Sequence, residues 1–169
     1  MTRKKLIFYW ALYGFIALLF LLLQSVLLNR LSIVHGVHPV LLPLLVGLTA
    51  IYTPRGGSAV FAFFFGFLCD MLFVGAIPCF YLLTFTLCAI VAGLLSHRFI
   101  TPGFFCSFLM GGLSLLITDL LQMFFLTFQT EVPFLTGITL LLAELLLSLP
   151  FLLLLHPVYS RINRFLMRV

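Results

Sequence analysis

Three of the four acidic residues in this chain, Asp70, Asp119 and Glu144, stand inside long apolar runs, and the fourth, Glu131, falls in a short polar break. An ionised carboxylate in hydrocarbon costs several kcal/mol, so it persists only where it faces protein or a wet cavity. Buried acids of this kind pair with cations, relay protons or hold a partner. Asp70 comes first because it ends a pattern. Residues four apart share a helix face, and Gly66, Ala62 and Ser58 precede it at that spacing. Small residues in such a row let membrane helices approach closely. The ridge therefore points Asp70 toward other helices, the alternative being a site near enough to the interface to reach water. Other chemistry is missing. There is no Gly-rich phosphate loop, HExxH, GxSxG or paired metal-ligand spacing, and Cys69, Cys79, Cys88 and Cys106 form no CxxC. The cysteines read as small core residues. His97 and His156 read as polar tips at the ends of apolar runs. No catalytic residue, cofactor or metal is expected.

Only 8% of the residues are charged, 64% are hydrophobic and the mean hydropathy is +1.32. A soluble domain needs a charged coat of about a quarter of its residues, so the expectation is a single all-α integral membrane domain over 1–169. Six spans are read, at 6–28, 39–52, 58–74, 79–95, 103–128 and 136–156. The second is short for a crossing and carries Pro43 near its start. Tyr9, Trp10 and Tyr13 are read as headgroup-level anchors, and Gln24 as a polar group near the far interface. Further small-residue sets, Ala89 with Gly93 and Gly103 with Ser107 and Gly111, mark close packing. Pro150 is expected to kink the sixth span. The tail spaces Arg161, Arg164 and Arg168 along one helical face, with Ile162, Phe165 and Leu166 covering the other. It reads as an amphipathic surface helix anchored to anionic headgroups.

Charge sets the orientation. With the N-terminus cytoplasmic, six spans place every cation except Arg30 on the cytoplasmic side, a strong positive-inside pattern that losing the second span would destroy. The net charge of +5 thus reports membrane orientation, and nucleic acid is not needed to explain it. All four acids then fall in the outer half, with Arg30, His35 and His38 on the same side. A charge-paired cluster such as Asp70 with Arg30 is one arrangement. Whether the cluster fixes helix packing, lines a functional pocket or forms a partner groove stays open at this point.

The run Gly66-Phe67-Leu68-Cys69-Asp70-Met71-Leu72-Phe73-Val74-Gly75, followed by Pro78 and an apolar run to Ala92-Gly93, resembles the signature of the rod shape-determining protein MreD family. That family has a glycine four residues before an intramembrane aspartate and a glycine and proline soon after it. The layout is similar too, with a basic start, five or six spans and a short basic tail. Cys79 and Phe80 depart from the pattern, standing where the family often has a further glycine. The resemblance implies a non-catalytic member of the bacterial cell-elongation machinery in the cytoplasmic membrane. Its partner would be the bitopic protein MreC, in a complex with MreB, RodA and a class B penicillin-binding protein. It also implies a six-helix bundle similar to the S components of energy-coupling-factor vitamin transporters. An S component is accordingly the rival reading, although Ala11, Gly14 and Ala17 give only a weak docking face and the outer half is poor in polar ligand groups. The expected partner-binding or buried polar cluster comprises Asp70, Gly66, Gly75, Pro78, Asp119, Glu144 and Arg30. A groove at the small ridge ending at Asp70 would receive the partner's helix. Membrane lipid would hold Arg161, Arg164 and Arg168.

Overall fold

The computed structural model describes residues 3–26, 38–53, 56–73, 78–99, 103–130 and 134–168, with side chains for 8–26, 38–53, 56–73, 78–96, 103–125, 127 and 137–164. Arg30, His35, Gly75 and Glu131 lie outside the described residues, as do the side chains of His97 and Arg168. Among the described residues six helices form, all near the segments read from the sequence: α1 (Arg3–Val26), α2 (Leu42–Tyr52), α3 (Gly57–Leu72), α4 (Phe80–Phe99), α5 (Phe104–Thr130) and α6 (Phe134–Arg168). Among the described residues there is no strand. Three helices are long and apolar enough to cross a membrane, over Phe8–Val26, Phe104–Phe125 and Gly137–Arg164; the other three are shorter apolar helices.

The shortest helix is the hub. An apolar helix in a membrane can face protein or lipid, and α2 faces protein on every side, buried from Leu42 to Ile51. It packs chiefly on α5 and α4 and touches α6, α3 and α1. Pro43 falls in the first turn, where a missing N–H costs nothing. Thr49 disposes of its hydroxyl by donating to Leu45 O at 3.0 Å and Val46 O at 2.8 Å. Close approach to α5 is set at Gly47, where an added methyl would lie 2.8 Å from Met110 O and 3.2 Å from Gly111 Cα, and would also strike Ser114 Oγ.

The irregular lead-in to α2 needs its own partners, because irregular backbone at membrane depth survives only when protein satisfies it. Gln24 on α1 supplies two: its Nε2 donates to Pro39 O and its Oε1 accepts from Leu41 N–H, both at 3.0 Å. Ser148 on α6 accepts from Val40 N–H at 2.9 Å. Gln24, read as an interface residue, is therefore a buried strap. Gln24→Leu leaves two buried backbone groups unpaired, each costing about 1–3 kcal/mol, so thermal unfolding in detergent is expected to show a large loss of stability, and Gln24→Glu a smaller one.

Two further readings are corrected. Tyr9 and Tyr13 turn inward and are only 6% and 0% exposed. Tyr9 Oη donates to Tyr52 O at 2.8 Å, and the Tyr13 ring packs edge-on against Tyr159 at 5.7 Å. The same packing explains the tail. Tyr159, wholly buried, also stacks on Tyr52 at 6.4 Å, and Leu155 and Ile162 pack on the core. α6 consequently runs unbroken through Pro150 and Pro157 to Arg168, without a separate surface helix. Arg161 and Arg164 are exposed at its end, where Arg164 Nη2 donates to Ser160 Oγ at 3.3 Å.

Candidate functional site

The Gly66-to-Asp70 spacing builds a joint between α3 and α4, which pack on each other more extensively than any other pair. The first N–H groups of a helix have no partner within it, and an anion placed there also meets the positive end of the helix dipole. Asp70 fills that role for α4 from outside: Oδ1 accepts from Tyr81 N–H at 3.0 Å and Oδ2 from Leu82 N–H at 2.9 Å. Gly66, one turn earlier, makes the reach short enough, since a methyl there would sit 2.6 Å from Leu82 Cα and 2.7 Å from Tyr81 O. Farther down the ridge Ala62 is fully buried, and Ser58 stands opposite Gly93. The ridge expected to admit a partner's helix is thus occupied by α4 of the same chain. Both oxygens of Asp70 are taken by backbone. Pro78 and Cys79, whose φ is +59°, shape the turn into α4.

Asp119 and Glu144 are brought together by the α5–α6 hairpin. Each lies about three turns, or about 16 Å, from the intervening loop, so the two fall at one level. Antiparallel packing is seen where Gly111 meets Leu152 and Gly137 meets Met123. Asp119 is 4% exposed, and among the described residues neither carboxylate oxygen has a hydrogen-bond partner. Glu144, half-buried, lies within electrostatic reach of Asp119 and of His38. His38 is held there by the strap of Gln24 and Ser148, for Ser148 stands one turn beyond Glu144 on α6. Its Nδ1 is buried and unpartnered among the described residues. Tyr81 connects the two parts of this end, interacting electrostatically with both Asp70 and Glu144.

Of the residues singled out by sequence, Asp119 and Glu144 converge with His38, while Asp70, Gly66 and Pro78 belong to the α3–α4 joint beside them. Among the described residues no group of three or more His, Cys, Asp and Glu side chains is placed to hold a metal ion. The arrangement is a pair of carboxylates and an imidazole, with both Asp119 oxygens and His38 Nδ1 left without hydrogen bonds among the described residues. A buried acid of this kind is tolerable only when neutral or when supplied with a counter-charge or donors.

At the opposite end His156 Nδ1 lies 2.8 Å from Ser107 Oγ, whose hydroxyl donates to Gly103 O at 3.1 Å. The pair is a staple between α5 and α6, with the donor set by the histidine tautomer. Sequence gave no signal for it beyond the Gly103–Ser107–Gly111 spacing. Three cysteines are buried and only Cys79 is exposed, so three of the four match the core reading. Comparisons with protein-family models, curated proteins and solved structures found no match.

Proposed function

We propose that the chain is a six-span, non-catalytic membrane scaffold that grips a bitopic partner through a cationic group seated among Asp119, Glu144 and His38. The observation that carries this reading is the unpartnered Asp119 carboxylate, buried yet left without donors. On the resemblance to MreD proteins the partner is MreC, in the cell-elongation complex that includes MreB, RodA and a class B penicillin-binding protein. The α3–α4 joint has a different role: it locks the bundle, so substitutions at Gly66 or Asp70 act through folding. Co-purification of MreC with Asp119→Asn and Glu144→Gln variants tests the proposal. Loss of the partner with unchanged yield and monodispersity is expected, and undiminished co-purification refutes it.

The topology proposed is six crossings with both termini cytoplasmic, supported by the positive-inside balance. It has a direct test, because Cys79 is the one exposed thiol and the turn that carries it would face outward. A membrane-impermeant maleimide added to spheroplasts is expected to label Cys79, with labelling lost in Cys79→Ser. Labelling that requires permeabilised cells would contradict the orientation.

The open carboxylates also suit a second reading, an S component that binds a small polar ligand in the same place. That reading requires a co-purifying molecule, detectable by mass spectrometry of denatured protein, and a thermal shift with vitamins.

A further inference from the structure

A groove of about 410 Å³ runs between α1 and α3, walled by Gly14, Ala17 and Leu18 on one side and Phe64, Phe65 and Leu68 on the other. Trp10 and Phe61, stacked 6.2 Å apart, close one end. Neither helix fills the space. Gly47, Gly66 and Gly111 each make room for a neighbour in the chain, but a methyl on Gly14 would meet nothing within 4 Å. From Trp10 to Leu18 the groove is about 12 Å long. An open apolar groove of this length and volume accommodates a hydrocarbon chain.

Charge at the Trp10 end selects the kind of chain. α1 begins with Arg3, Lys4 and Lys5, within two turns of Trp10. α3 begins beside Trp10 as well, since a methyl on Gly57 would lie 2.9 Å from Trp10 Cζ2. That helix start has no side-chain cap, leaving the positive end of its dipole open. We propose that this groove binds an acyl chain of an anionic phospholipid, with the phosphate at the end marked by Trp10 and the basic first turn of α1. The occupant is lipid from the leaflet at that end, independent of the acid cluster and of what binds there.

Trp10 is the only tryptophan in the chain and lines the groove, so it reports the occupant directly. Full-length protein is placed in nanodiscs of phosphatidylcholine containing a minor fraction of brominated phosphatidylglycerol or, at equal fraction, brominated phosphatidylcholine. Stronger quenching of Trp10 by the anionic lipid is expected. Gly14→Leu puts an isobutyl group into the groove, its Cβ meeting nothing within 4 Å, and is expected to abolish the excess. Removing Arg3, Lys4 and Lys5 (each →Gln) is expected to weaken the preference by about fivefold per cation, on the order of a hundredfold in all. Equal quenching by the two lipids, or an excess that survives Gly14→Leu, overturns the proposal. So does the absence of quenching by either lipid, which means that protein covers the groove. If the triple variant inserts wrongly, as Cys79 labelling reveals, Gly14→Leu decides alone.

Discussion

Gly66→Ala is expected to destabilise the protein by about 3 kcal/mol or more, the upper range for overpacking, while the same substitution at Gly14 is neutral or stabilising by up to about 1 kcal/mol. The two changes add one methyl group to a helix and differ only in what that methyl meets. At Gly66 it lands 2.6 Å from Leu82 Cα and 2.7 Å from Tyr81 O, backbone atoms that cannot rotate away, whereas at Gly14 it meets nothing within 4 Å. Relief at Gly66 requires α4 to back off. The Asp70 carboxylate then loses its reach to Tyr81 and Leu82 N–H, now 3.0 and 2.9 Å away. Thermal unfolding in detergent, read by helical circular dichroism, measures both variants. Asp70→Asn is expected to fall between them, keeping one acceptor and losing the charge–dipole term of about 0.3–1 kcal/mol as well as one charge-assisted hydrogen bond. Equal midpoints for Gly66→Ala and Gly14→Ala would contradict the account of the joint.

Asp119→Leu has the opposite expected sign: the isolated chain becomes more stable by about 1–3 kcal/mol while partner binding is lost. A buried polar group without a partner costs about that much, and an apolar side chain removes the cost. Residues that hold a protein together destabilise it when replaced. A residue kept for an incoming group does the reverse, because its disadvantage is offset only in the complex. Asp119→Asn, nearer in volume, separates the loss of charge from packing and is expected to lose binding with a smaller gain in stability. A destabilised Asp119→Leu with binding intact would make Asp119 a packing residue.

The sequence reports these two acids differently. The glycine and acid four residues apart made the α3 face legible, but a small-residue ridge looks the same whether its occupant is a partner or the next helix, and here α4 takes it. Asp119 and Glu144 were legible only as two of four acids in the outer half, with Asp70 and Arg30 offered as the pairing; the α5–α6 hairpin sets them at one depth. His38 joins them through Gln24 and Ser148, a contact between distant segments that no local pattern carries. The central position of α2 was hidden by its length, which made it the weakest span, and its apolar composition does not tell burial in protein from exposure to lipid. The tail, read as a surface helix from the spacing of Arg161, Arg164 and Arg168, instead continues α6 through Pro157. Tyr159, packed between Tyr13 and Tyr52, holds the helix through it.

Carbodiimide labelling tests the central claim most directly. A hydrophobic carbodiimide reacts with carboxyl groups in apolar surroundings, and peptide mass spectrometry locates the adduct. The account predicts that Asp119 and Glu144 are modified in the chain purified alone and protected in the complex with its bitopic partner, while Asp70, held by the α4 backbone, is unchanged between the two. Equal modification of Asp119 and Glu144 with and without the partner would show that nothing is seated among them.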